Sequence, residues 1–134
     1  MAGALERLNS TMNNSATIVE IAAADIPAPA HKAVMYNANG DVVIATSGDA
    51  AIGMVLSSSL DPISAGRRVH ILIKYIGLLE AGAAITKGQL ITINPQGQGV
   101  PATSGDFIFG RAFESATAAG NVIQVQINQM GYME

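Results

Sequence analysis

The stretch NPQGQGVPATSGDFIFGRAFES (94–115) decides the fold, because much of its pattern has already occurred in NANGDVVIATSGDAAIGMVLSS (37–58). When the chain is shifted against itself by 57 positions, ten of the 22 aligned columns are identical, and the pentapeptide ATSGD occurs at both 45–49 and 102–106. Unrelated segments of this composition would share about one or two identical columns. The match therefore indicates an internal duplication.

The similarity continues downstream of the pentapeptides. AGRRVHILI (65–73) aligns with AGNVIQVQI (119–127), and the alternating apolar residues of the two segments fall in the same columns. The sequence therefore predicts two copies of one unit of about 55 residues, at about 18–73 and 74–128. Each copy alone is close to the size below which a single core rarely suffices, so we expect the copies to share one core.

Each copy has the composition of β-strands joined by tight turns. VVIAT and AAIGMVLSS flank a Ser-Gly-Asp turn, and Asn39-Gly40 is a typical tight-turn pair, replaced by Gln96-Gly97 in the second copy. In RRVHILIKYIGLL (67–79) every second residue is apolar, which predicts one strand face formed by Val69, Ile71, Ile73 and Tyr75. We predict an all-β fold, a small pseudo-twofold barrel or sandwich built from the two units, with little helix.

The predicted β domain comprises residues 17–134. TIVEIAA (17–23) is rich in β-branched residues and predicts a strand, whereas DIPAPA (25–30) predicts a connector or an edge because its prolines lack backbone donors. Residues 1–16, MAGALERLNSTMNNSA, contain no part of the repeat and are diluted by Asn and Ser, so we predict a flexible N-terminal arm.

One pair of predicted strands is apolar on both faces. In 50–56 and 107–113, one face carries small residues around a repeated glycine, and the other carries larger apolar residues. A strand that is apolar on both faces is buried on both, either by a second core layer of the same chain or by another subunit. The candidate interface residues in the second copy are Phe107, Phe109, Arg111 and Phe113.

Charged residues are few, at 13% of the chain. Solvent-exposed surfaces of small domains usually carry more, so part of this surface is expected to be covered in an assembly. A net charge of −3 without a basic cluster argues against a nucleic-acid partner. The longest apolar stretch, HILIKYIGLL, is interrupted by Lys74 and is too short to span a bilayer, so no membrane partner is predicted.

The repeated Asp49 and Asp106 suggest one catalytic alternative, a hydrolase. Two carboxylates brought together by a pseudo-twofold axis can share a proton and perform acid–base hydrolysis. Aspartic proteases place the Asp first in an Asp-Thr/Ser-Gly turn, however, and the order here is Ser-Gly-Asp. The structural interpretation is that each aspartate caps its own turn.

A carrier or binding β-barrel is the second alternative. LEAGAAITKGQLITI (79–93) has the rhythm of lipoyl- and biotin-carrier barrels, but those present the modified lysine at the tip of a tight hairpin, and Lys87 is not placed in that way. His31 and His70 have no second ligand at metal spacing. We therefore predict no cofactor, no metal site and no enzymatic activity.

The second half of the chain resembles the capsid cement, or decoration, proteins of tailed bacteriophages. In that family an Ala-Gly turn leads to Gly-x-x-apolar, a Gly hairpin, an apolar-Gly-x-Ala strand, another Ala-Gly turn and an alternating final strand. The corresponding residues here are Ala81-Gly82, Gly88–Ile91, Gln96-Gly97, Phe109–Ala112, Ala119-Gly120 and Val122–Ile127. The first half, 32–76, matches more loosely, so the likeness covers about 17–128.

The resemblance implies a structural virion protein without catalysis. Such a protein would bind the outside of an icosahedral capsid, often as a homotrimer, and bridge neighbouring major capsid subunits. It would be made in the host cytoplasm and found on the outer capsid surface. The arm at 1–16 departs from the family pattern, and we expect it to lie along a capsid strand by β-augmentation, with Leu5 and Leu8 as anchors.

Overall fold

A computed structural model describes residues 15–56 and 62–134, and within them the chain forms ten β-strands and no helix. The predicted all-β class is therefore confirmed. The first five strands are β1 (Thr17–Ile21), β2 (Ala33–Tyr36), β3 (Val42–Ile44), β4 (Ala51–Val55) and β5 (Arg68–Leu72). The second five are β6 (Tyr75–Glu80), β7 (Leu90–Ile93), β8 (Gly99–Pro101), β9 (Phe107–Ala112) and β10 (Val122–Tyr132).

The strands form two five-stranded antiparallel sheets that pack as a sandwich. Their orders are β1-β5-β4-β2-β3 and β6-β10-β9-β7-β8, so each strand of the first sheet has an equivalent five strands later. Individual hydrogen bonds are also equivalent: the Val55 amide donates to the Lys32 carbonyl at 2.8 Å, and 57 residues later the Ala112 amide donates to the Gln89 carbonyl at 2.9 Å. The architecture is consistent with two duplicated units.

Each sheet curls until its two edge strands meet. Ala22, directly after β1, forms a parallel bridge with Val42 of β3, and Ala81 forms the equivalent bridge with Gly99. The first sheet encloses an apolar cluster of its own, and the second cluster combines the interior of the second sheet with Ala33, Ala45, Ala51 and Met54 of the first. The two halves thus share one of two clusters instead of the single common core expected from their size.

The repeated glycine, Gly53 and Gly110, lies where strands approach most closely. A Cβ atom at Gly53 would stand 2.1 Å from the Leu72 carbonyl oxygen, and one at Gly110 would stand 2.1 Å from the Gln126 carbonyl oxygen. No side chain fits at that distance, so both copies need glycine in the same place.

The alternating run 67–79 is not one strand, contrary to the expectation from its pattern. The chain breaks at Ile73–Lys74, and Tyr75 adopts a φ of 71°, in the left-handed region that non-glycine residues rarely occupy. Residues before the break belong to the first sheet and residues after it to the second, so Tyr75 is 63% exposed instead of sharing a buried face with Val69 and Ile71. The break coincides with the boundary proposed between the two units.

Phe109 lies in the core of the single chain. Its side chain is 0% exposed and belongs to the cluster that contains Ala45, Ala51 and Met54 of the first sheet. Phe109 is therefore covered by a second core layer of the same chain, the first of the two alternatives given for this strand. Phe107 and Phe113 are half-buried, and Arg111 is exposed.

Phe109→Ala is expected to lower the free energy of unfolding by about 3–5 kcal/mol, because it leaves a cavity between the two sheets. Phe113→Ala is the matched control, and its half-buried ring should cost clearly less. Urea unfolding followed by circular dichroism measures both. An equal, small loss for the two variants would contradict the placement of Phe109 in the core.

Candidate functional site: docking surfaces

An aromatic corner lies at one end of the sandwich, where the first half meets the second. The rings of Phe107 and Tyr132 pack edge to face with centroids 5.2 Å apart, and the Tyr132 hydroxyl donates to the Asp49 carboxylate at 3.4 Å. Tyr132 is 64% exposed. The corner offers an outward-facing aromatic ring whose polar end contacts the opposite half.

Arg111 and Phe113 line an open depression of about 490 Å³ on the second sheet, together with Lys87, Gly88, Ala112 and Gln124. The Arg111 guanidinium donates to the Gly88 carbonyl at 2.7 Å, which holds it against another residue of the lining. Lys87, on the adjacent turn, is exposed. The depression therefore combines an apolar wall with two cationic side chains.

The equivalent depression on the first sheet is covered by the second half. It forms a groove of about 190 Å³ lined by His31, Val55, Leu56, Leu72, Ile76, Gly77 and Leu78. At its edge the Glu80 amide donates to the His31 carbonyl at 2.8 Å, and the Lys32 ammonium lies 3.1 Å from the Glu80 carboxylate. This is the only ion pair found within 15–56 and 62–134. Strand β6 thus lies along the first half at this groove.

His31 is under constraint in that groove. It has a φ of 60°, and its Nδ1 atom is buried without a hydrogen-bond partner. A buried polar atom without a partner costs free energy, so His31 lowers the stability of this region.

Two strand edges expose large apolar side chains. On β1, Val19 and Ile21 are 49% and 40% exposed; on β6, Ile76 and Leu78 are 46% and 41% exposed. Sequence reasoning predicted a strand at 17–23 but treated β6 as the end of one strand over 67–79, and it missed these four residues as a candidate site. On β1 the signal was present, because no charged residue shares the face of Val19 and Ile21. On β6 it was not, because Glu80 lies on the same strand face as Ile76 and Leu78.

The repeated aspartates act as turn caps. The Asp106 carboxylate accepts hydrogen bonds from the Thr103 amide at 2.9 Å and the Thr103 hydroxyl at 3.0 Å. Asp49 accepts one from the Ser47 hydroxyl, which holds the pKa of this exposed carboxyl below its usual value. Each carboxylate therefore accepts a hydrogen bond within its own turn.

The remaining predicted residues are placed as follows. Leu5 and Leu8 lie outside the described residues, as do residues 1–14 of the predicted arm; the Ala16 carbonyl accepts a hydrogen bond from Ile73 at 2.8 Å. Within 15–56 and 62–134 there is no cluster of three or more metal-ligating side chains, and no helix there is long and apolar enough to cross a bilayer.

Comparison with known proteins places the chain among phage proteins. The family model for phage cement protein matches residues 59–127, just over half of the 134 residues. A solved structure, the N base of head fiber gp8.5 of bacteriophage phi29, superposes with a TM-score of 0.62 at 19% identity, covering 88% of this chain and 97% of that one. At that identity the likeness supports the fold alone. No curated protein matches the sequence.

Asp49→Asn is expected to reduce stability at neutral pH and to lose its effect in acid. Folding lowers the pKa of Asp49. The ionised carboxylate therefore stabilises the folded state above the ordinary carboxyl pKa of about 4, and this stabilisation is lost as the pH falls through the lowered pKa of the folded state. Urea unfolding of the wild type and the variant at pH 7 and pH 3 tests this. The same difference at both pH values would show that the carboxylate's charge does not matter.

Proposed function

Because this chain belongs to the phage cement protein family, we propose that it binds the outer surface of an icosahedral capsid and stabilises it by bridging major capsid subunits. Membership makes it a structural phage protein that associates with the capsid, and not an enzyme. The bridging role, the outer location and synthesis in the host cytoplasm are the parts of the proposal that go beyond membership.

The observation that carries the proposal is the amount of large apolar surface left exposed. Monomeric soluble proteins seldom expose contiguous apolar patches, and those that do usually use them in contacts. Within the described residues nine large apolar side chains are 39–64% exposed: Val19, Ile21, Tyr36, Tyr75, Ile76, Leu78, Val122, Met130 and Tyr132. With charged residues at only 13%, a protein that covers these surfaces in an assembly is favoured over a free monomer.

The N-terminal segment is the proposed anchor to the shell. Residues 1–16 precede β1, and Leu5 and Leu8 are the two leucines of a stretch that also contains several Asn and Ser residues. An extended segment can add to a capsid strand through main-chain hydrogen bonds, while its apolar side chains provide specificity. Several copies together, as in the proposed homotrimer, would strengthen the attachment because each further arm binds at a high effective concentration.

Replacing both Leu5 and Leu8 with Ser in the full chain should abolish binding to expanded capsids without unfolding the β domain, because it removes the apolar anchors only. Co-sedimentation with purified capsids measures binding, and circular dichroism monitors folding. The matched control replaces Asn13 and Asn14 with Ser, which keeps the length and polarity of the arm. Unchanged binding by the Leu variant would refute the anchoring role of these residues.

A further inference from the structure

The two halves of the chain contact each other through unlike surfaces. Gly97 of the second half lies against the first, since a Cβ atom there would stand 2.7 Å from the Ile44 side chain and 2.9 Å from the Ala33 carbonyl oxygen. Its equivalent, Gly40, has nothing within 4 Å of the same position. The twofold relation expected from the sequence would make the contact reciprocal, and it is not. The halves are arranged head to tail.

The central part of this contact is β6 at the groove of the first half. Leu78 lines the groove with His31 and Leu56, and the Glu80 amide bonds to the His31 carbonyl. The equivalents of His31, Val55 and Leu56 in the second half, 57 residues later, are Gly88, Ala112 and Phe113, and all three line the 490 Å³ depression. No residue of the described first half lines that depression.

The strand that would cover the depression by analogy is β1. It is the equivalent of β6 in the strand order, and Val19 corresponds to Leu78: each is the Cα partner of an equivalent residue, His70 for Val19 and Gln124 for Leu78. Both side chains are similarly exposed, at 49% and 41%. In this chain β6 occupies the groove of the first half, whereas β1 lies against no equivalent groove within the described residues.

We propose that strand β1 of one copy docks on the Gly88–Arg111–Phe113 depression of a second copy, repeating between chains the contact that β6 makes within the chain. The proposed docking rests on the self-association put forward under the proposed function, and it assigns the two surfaces that would form the contact. The contact is heterologous, so successive copies form a ring if the rotation between them closes and an open chain if it does not. A homotrimer corresponds to closure after three copies.

Thiol cross-linking tests the proposal directly, because the chain contains no cysteine. Two single variants of the full chain, Val19→Cys and Lys87→Cys, are treated with a short bis-maleimide separately and as a mixture. The expected result is no covalent dimer from either variant alone and a dimer as the main product of the mixture. The matched control mixes Leu78→Cys with Lys87→Cys, and it should give no dimer because β6 is already engaged in its own chain.

Three outcomes would overturn the proposal. A dimer from either variant alone indicates a symmetric contact, equal yield from the control mixture indicates random collision, and no product while light scattering detects oligomers places the interface elsewhere. Capsid co-sedimentation of the unmodified protein is measured in parallel. If the unmodified protein binds capsids but the Val19–Lys87 cross-link does not form, only the proposed interface is refuted. If the cross-link forms but the unmodified protein does not bind capsids, only the proposed function is refuted.

Discussion

The close approach of β6 to the first half is the contact on which the rest of the arrangement depends. The closest point is at Gly77, where a Cβ atom would stand 2.3 Å from the Leu72 side chain and 3.0 Å from that of Met54. The β6 backbone thus lies against the apolar surface, and the bond from the Glu80 amide to the His31 carbonyl fixes its direction. The Lys32–Glu80 pair is partly solvated and adds orientation more than stability.

The duplication could be detected in the sequence because the identical columns are those with local backbone roles. The Asn37 side-chain oxygen accepts hydrogen bonds from the Asn39 and Asp41 amides, and the Asn94 oxygen accepts the same two bonds from Gln96 and Gln98. Such caps need one residue type at one position, so they persist where apolar neighbours vary. The all-β class follows from these turns and from the alternation between them, whereas the strand order does not.

The features that could not be predicted depend on contacts between the halves. The period-two pattern of 67–79 is the same on both sides of the break before Tyr75, so it cannot reveal that the chain passes there from one sheet to the other. Likewise, the apolar outer face of β9 indicates burial but not what covers it. Phe109 is covered by the first half, whereas Phe113 and Arg111, on the same face, border an open depression.

A duplicated chain whose halves contact each other head to tail differs physically from one whose halves are related by a twofold axis. In a reciprocal contact each half would satisfy the same surface of the other, and nothing equivalent would remain uncovered. In a head-to-tail contact one copy of the surface is always left at each end: here β1 at one end and the Arg111–Phe113 depression at the other. If β1 of one copy docks on the depression of the next, as proposed, the assembly that leaves neither surface exposed is a closed ring.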